Sequence, residues 1–350
     1  LPWGFSLAGI FIMLEHGGRL RAAAQQWNIP LVQWLDLSTG IAPWPYPVPA
    51  LPACVWQRLP EEDDGLIAAA CDYYGAAHLL PVAGSQAVIQ QLPRLLPSAR
   101  VAMPTPLYAE HVAAWQNAGH TLVGWPDHEQ EPAWTEAEYV VLCNPNNPDG
   151  QCYSAEHLRA RLRGRQLMVV DEAFIDARSG ASLAACAGQP GYENLVVLRS
   201  LGKFFGLAGA RVGFACGAPA LLKRLAKALG PWAVAHPSRV IAQAALQDVR
   251  WQAAQRERLL TASARLAALL RALALGEVRG TSLFQYVATP HAAVWHAALA
   301  RRGILVRLFE TPAALRFGLP AEEHEWQRLA AALAALRDEH NFSPATHEPK

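Results

Sequence analysis

The stretch Ser200-Leu-Gly-Lys203-Phe-Phe-Gly206-Leu-Ala-Gly209-Ala-Arg211-Val-Gly213 directly follows the apolar run 195–198. A lysine at the end of a buried strand, among small residues, is poorly solvated. Poor solvation favours the neutral, nucleophilic amine. Such an amine can form a Schiff base with an aldehyde cofactor. Ser200 and Arg211 bracket the lysine with a hydroxyl and a guanidinium, which together suit a phosphate monoester. A lone S-x-x-K would read as a surface turn. The full spacing S-x-x-K-x-x-G-x-x-G-x-R-x-G is far more restrictive.

Working outward, short apolar runs read as buried strands at 101–103, 139–143, 167–170, 195–198 and 212–216. Helical patterns lie between them at 86–96, 108–118, 155–162 and 221–229. This alternation predicts a mostly parallel sheet covered on both faces. After residue 235 the texture changes. Residues 238–275 read as one long helix rich in Ala, Leu, Arg and Gln. Strands are expected at 283–287, 304–308 and 315–317, with helices at 291–301 and 321–337. The expected organisation is an N-terminal arm at 13–50, a large domain at 51–235 and a smaller α+β domain at 236–340. Pro43, Pro45, Pro47, Pro49, Pro52 and Pro60 make 40–60 an expected extended arm. No internal repeat is present.

Two further elements carry chemistry. Asn144-Pro-Asn-Asn147-Pro-Asp-Gly150 follows the strand 139–143, and Asn147 offers an amide donor there. Asp171 closes the strand 167–170, at the carboxyl end where open α/β sheets bind ligands. Glu172 is the competing acid. Strand alternation points the two side chains in opposite directions.

The totals limit the partners. Of the 350 residues, 30 are Lys or Arg and 29 are Asp or Glu, giving a net charge of +1. That leaves no diffuse basic surface for nucleic acid, although a local basic pocket is compatible with it. The hydrophobic share is 52% against 17% charged, so the chain is core-rich and some apolar surface is expected in a subunit interface. Six cysteines without C-x-x-C or Cys/His ligand spacing read as scattered buried thiols in a reducing cytoplasm, with no metal site. No stretch reads as a membrane span. Residues 1–12 are expected to be an upstream segment or an apolar docking segment, with Met13 the natural start. The polar end, 341–350, is expected to fray.

Asn147, Asp171, Ser200, Lys203 and Arg211, in that order, resemble the fold-type I pyridoxal-phosphate enzymes of the class I/II aminotransferase branch. The similarity spans roughly residues 14–340 and is strongest to the histidinol-phosphate aminotransferase group. It implies an aspartate aminotransferase-like fold, with a mostly parallel seven-stranded sheet sandwiched by helices plus a smaller α+β domain. It also implies pyridoxal 5'-phosphate as cofactor and a homodimer. Lys203 would be the Schiff-base lysine and later the proton donor. Asp171 would pair with the pyridine nitrogen and Asn147 with the phenolic oxygen. Tyr108 would stack on the ring. Ser85 and Gln86, at a helix start, would hold the cofactor phosphate with Ser200 and Arg211. Arg316 would grip the substrate carboxylate.

Three features resemble a decarboxylating branch of that group, whose substrate is threonine phosphate. His16-Gly17-Gly18-Arg19 is similar to an N-terminal arm that lies near the substrate phosphate, which makes His16, Gly17 and Arg19 candidates. Phe174 stands where aminotransferases usually carry a tyrosine. Asp36-Leu-Ser-Thr-Gly40-Ile-Ala42-Pro43 is similar to the group's Asp-x-Ser-x-Asn-x-Asn-Pro, with Gly40 and Ala42 in place of the two Asn. Leu59 replaces the tyrosine with which relatives reach a neighbouring subunit's cofactor phosphate. Transamination of a histidinol phosphate-type substrate is the alternative.

Overall fold

The computed structural model describes residues 16–125, 134, 137–162, 164, 166–178 and 180–339. The proposed segment 1–12, Met13 and the tail 341–350 lie outside these residues. The chain forms two compact units, one of residues 44–257 and one of residues 16–43 with 258–339. The second boundary falls inside the helix Val249–Ala272, where the change of texture puts it at 235/236. Strand β1 (Leu35–Leu37) belongs to the smaller unit.

The larger unit is built on seven strands: β2 (Leu79–Val82), β3 (Arg100–Pro104), β4 (Thr121–Trp125), β5 (Tyr139–Cys143), β6 (Leu167–Asp171), β7 (Leu195–Ser200) and β8 (Gly213–Cys216). Their order is β2-β8-β7-β6-β5-β3-β4. Only β8 runs against its neighbours. β5, β6 and β7 are buried at every position, which is why they read as continuous apolar runs rather than alternating ones. On one face Tyr139, Val141, Leu167, Val169, Val196 and Leu198 pack against Val88, Ile89, Ala114, Trp115, Leu222 and Leu225 from the helices Ser85–Gln91, Ala109–Asn117 and Pro219–Leu229. Each Val, Leu or Ile among them contributes about 1.5–3 kcal/mol on burial.

β2 and β4 escape the sequence reading. β2 is Leu-Leu-Pro-Val, and Pro81 argues against a strand. β2 is an edge strand, where a missing ladder donor costs little. The expected single helix over 238–275 is two helices, His236–Gln247 and Val249–Ala272. Asp248 ends the first, and its carboxylate accepts the Trp251 N–H at 2.9 Å to cap the second. Gln252 donates to the carbonyls of Ala245 and Leu246. The proline-rich stretch 40–60 contains a short helix, Ala53–Gln57. Pro52 precedes its first turn, where a missing N–H costs nothing. The six cysteines form no disulfide, but only Cys143 and Cys216 are buried and Cys54 is exposed, which corrects the picture of uniformly buried thiols.

The smaller unit carries β9 (Glu277–Gly280), β10 (Phe284–Ala288), β11 (Ile304–Glu310) and β12 (Ala313–Gly318), in the order β1-β11-β12-β10-β9. β1 pairs parallel with β11, and the other pairs are antiparallel. The helix Leu20–Trp27 packs here through Ala23 against Trp34, Ala300 and Leu305. Among the described residues no helix is long and apolar enough to cross a membrane.

Candidate active site

Topology delivers the site. β5 and β6 end together, with Cys143 opposite Asp171. β7 continues to Ser200, which lies opposite Gly213 at the start of reversed β8. Gly213 in turn faces Val82 at the end of β2. The segments around Gly84, Asn144, Asp171, Lys203 and Arg211 therefore all lie at one end of the strands. This is the carboxyl-end placement that open α/β sheets use for ligands.

Lys203 and Arg211 lie in one hairpin connection. Leu201 N–H donates to Val212 O at 3.1 Å, so β7–β8 pairing persists past Ser200, and Gly206 N–H closes a turn on Lys203 O at 3.1 Å. Lys203 is half-buried, with its Nζ 5.4 Å from the centroid of the Phe174 ring. Arg211 is exposed and left-handed at φ 53°. Its guanidinium lies over Gly84. A Cβ on Gly84 would fall 2.8 Å from Arg211 Nη2, and one on Gly213 would fall 2.6 Å from the Ser85 nitrogen. Gly84 also needs its positive φ of 74° to start the helix Ser85–Gln91. Gly84, rather than Ser85, holds the cap position, and no side chain caps that helix. Ser200 is buried, and its Oγ accepts the Gly202 N–H at 3.2 Å. The Gln86 side-chain amide donates to Glu110 at 2.6 Å, whereas the group expected to meet the phosphate is its backbone N–H.

Asp171 is 5% exposed. One of its oxygens accepts the Ala173 N–H at 3.0 Å, and the other lies 3.1 Å from His111 Nε2. His111 is 1% exposed, and its Nδ1 has no partner. The Cys143 thiol completes a trio whose polar atoms lie within 4.8 Å of one another. Burial, with the Asp171 charge, pushes this thiol well above its ordinary pKa, against hydrogen bonds from the backbones of Asn147 and Tyr108. Burial, with the charges of Glu110 and Asp171, likewise raises the Tyr108 hydroxyl, while Arg211 opposes it. Tyr108, Asn147, Asp171 and Cys143 are thus brought together.

Glu172, the competing acid, points to the opposite face. It accepts from Arg199 at 2.8 Å, from the Ser182 hydroxyl and from Leu183 N–H at 2.7 Å. It belongs to the scaffold.

His111 carries no signal in the sequence beyond its position three residues after Tyr108. That spacing puts both side chains on one face of a helix. Only the packing of that helix on β6 brings it to Asp171, 60 residues away in the chain.

The smaller unit holds the other candidates. Arg316 is buried and lies over the rings of Phe284 and Phe309 at 4.9 and 5.7 Å. The register Tyr286↔Arg316↔Arg307 sets a second arginine directly opposite it, and Arg307 meets the same Phe309 ring at 5.4 Å. Two guanidiniums thus lie side by side on neighbouring strands of this sheet. Arg307 is the other residue that the sequence pattern leaves unnoticed. His16 and Arg19 are exposed, and Arg19 precedes the helix Leu20–Trp27.

Residues 61–335 match the family described as aminotransferase class I and II. The chain belongs to that family. Among its members, a threonine-phosphate decarboxylase of Pseudomonas aeruginosa is 54% identical, over 93% of this chain and 99% of that protein. A threonine-phosphate decarboxylase of a Sinorhizobium species is 40% identical over 92% and 98%. A histidinol-phosphate aminotransferase of Aeromonas hydrophila is 32% identical over 67% and 69%. The crystal structure of histidinol-phosphate aminotransferase from Sinorhizobium meliloti, in complex with pyridoxal-5'-phosphate, superposes with a TM-score of 0.81 at 20% identity, over 96% of this chain and all of that one. The fold is therefore the aminotransferase fold expected from the lysine hairpin.

Proposed function

We propose that this chain decarboxylates L-threonine O-3-phosphate to (R)-1-amino-2-propanol O-2-phosphate and carbon dioxide, with pyridoxal 5'-phosphate as cofactor, in cobalamin biosynthesis. The observation that carries this reading is the near-full-length similarity to threonine-phosphate decarboxylases, where similarity to the aminotransferase covers two thirds of the chain. Phe174 agrees with it, since the ring beside the Lys203 amine offers no hydroxyl.

The residues fit the cofactor. The notch at Gly84 and Gly213, with the Ser85 nitrogen and the Arg211 guanidinium on its walls, would be filled by any Cβ and suits a phosphate. The buried Asp171, backed by His111, suits a protonated ring nitrogen. Ser200 and the backbone N–H of Gln86 join the phosphate group of residues, while the Gln86 side chain holds Glu110. Tyr108 would cover the ring and Asn147 would donate to its phenolic oxygen. Bound pyridoxal phosphate supplies an aldehyde for the substrate amine and a ring that accepts the electron pair left as carbon dioxide departs. Lys203 Nζ is the amine that anchors the aldehyde and then returns a proton to the substrate α-carbon. Arg316 holds the carboxylate. Arg307, with His16, Gly17 and Arg19, meets the side-chain phosphate.

The same reading makes the enzyme a cytoplasmic homodimer. Unpaired thiols and the exposed Val48, Trp56, Leu59 and Trp232 support this. Leu59 supplies no hydroxyl to a neighbouring site. Sedimentation at micromolar concentration checks the dimer, and a monomer counts against it.

The decisive experiment supplies the purified, cofactor-loaded protein with threonine phosphate and no 2-oxo acid. Carbon dioxide and aminopropanol phosphate are expected in equal amounts. A strict need for a 2-oxo-acid acceptor would replace this reading with transamination. Lys203→Ala should abolish both carbon dioxide release and the visible absorbance of the bound aldehyde.

A further inference from the structure

The His16-Gly17-Gly18 segment is fastened to the end of β1 through the Ser38 side chain. Ser38 follows β1 and is 2% exposed. Its Oγ accepts the Gly18 N–H at 2.7 Å and donates to Asp36 Oδ1 at 2.6 Å. The same Oδ1 accepts the Ser38 N–H at 2.9 Å, which fixes the carboxylate. The serine hydroxyl is thus used in both directions and held in one rotamer.

Backbone shape completes the latch. A Cβ on Gly17 would collide with the Ser38 carbonyl oxygen, and Gly18 adopts φ 78°. On the other side Gly318, at the end of β12, lies so close that a Cβ would fall 2.5 Å from Thr39 O. Glycines at 17 and 318 let three chain segments meet around Ser38. Leu37 pairs with Val306 in parallel register, so Ser38 and Arg307 are the residues that directly follow this last pair, and Arg307 is paired with Arg316. The latch therefore sits at the end of the arginine row.

We propose that Ser38 is a positioning residue for the substrate phosphate: the Asp36–Ser38–Gly18 latch fixes the His16-Gly17 segment beside Arg307. The proposal rests on the reading that this segment meets the substrate. Gly18 is exposed, so water can satisfy its N–H once the serine hydroxyl is gone. Loss of the latch then costs position rather than burial, and the fold should persist.

The test uses the cofactor-loaded enzyme and the variants Ser38→Ala, Gly17→Ala and His16→Ala. Ser38→Ala should raise KM for threonine phosphate about tenfold with kcat within about twofold, the signature of lost binding rather than lost chemistry. Its cofactor absorbance should match the parent's. Tryptic cleavage after Arg19, followed by mass spectrometry, should be about tenfold faster because release of the latch exposes the segment. Gly17→Ala, which removes no hydroxyl, should give the same split. Wild-type KM in Ser38→Ala, with or without faster cleavage, overturns the inference while leaving the proposed reaction standing. Wild-type KM in His16→Ala removes the contact on which the inference rests and overturns it too. Carbon dioxide release by the parent enzyme separates that outcome from failure of the proposed function.

Discussion

Asp171 and Glu172 are consecutive and both buried, yet they belong to different regions. Glu172 meets a permanent cation, Arg199, which also binds Asp176 at 2.6 Å. Arg199 lies 4.5 Å from the Tyr74 ring, and Asp176 accepts from the Tyr73 hydroxyl at 3.0 Å. Burial raises the Glu172 carboxyl against the pull of Arg199, Leu183 and Ser182. On the other face Asp171 meets a histidine with a buried nitrogen still unpartnered and a protonated thiol. The first region ties one cation to two carboxylates within the fold, with Asp176 Oδ2 and Arg199 Nε left as its unpartnered atoms. The second leaves a carboxylate whose partner can adjust, which is what a bound cationic ring requires. The difference separates scaffold from site without reference to any relative.

Three substitutions probe that contrast. Arg199→Met leaves two buried carboxylates without their cation and should cost about 3–5 kcal/mol in denaturant unfolding, with kcat of the folded fraction unchanged. A stable Arg199→Met protein with lost activity would break the comparison. Asp171→Asn should do the converse: kcat falls about 10²–10³-fold, and the melting temperature barely moves. His111→Phe keeps an aromatic ring, somewhat larger, and removes both ring nitrogens, including the Nε2 that meets Asp171. It should lower kcat about tenfold, or about 1.4 kcal/mol, and cost about 1–3 kcal/mol of stability because a buried Asp171 oxygen loses its partner. A wild-type rate in that variant would show that Asp171 needs no support.

The smallest effect sharpens the scale. Arg239 grips Asp64 with two hydrogen bonds, at 2.5 and 2.8 Å. Burial opposes ionisation of Asp64, but Arg239 and the Leu66 N–H prevail and hold its carboxyl below the usual range. The folded value lies below the unfolded one. The pair therefore stabilises above the unfolded pKa of about 3.9, and that contribution is lost as pH falls through the lowered value. Arg239→Ala should cost about 1 kcal/mol at neutral pH and nothing once Asp64 is protonated in both states. A difference that persists in acid would assign the loss to packing.

The lysine hairpin and strands β5, β6 and β7 were legible because their signals are local. Apolar runs and Gly spacing lie within a few residues of the chemistry they position. β2 was illegible because Pro81 is tolerated only at an edge, and edges are defined by neighbours. The break at Asp248 carried a cap residue but neither glycine nor proline, so the helical pattern ran through it. His111 and Arg307 went unnoticed for one reason: each gains meaning only from a partner brought to it by packing or strand register.

The sequence by itself determined the fold family, the lysine and the placing of Asp171 and Glu172 on opposite faces. Covalent geometry enforces alternation along a strand and leaves packing no choice in it. Tertiary structure alone decided which of those two acids meets His111 and which meets Arg199. It also decided that two arginines share one phenyl ring and that Ser38 holds the glycine pair. These are through-space pairings across 20 to 60 residues of chain, or across a sheet register. No local pattern encodes them, because their energy appears only once the strands are aligned.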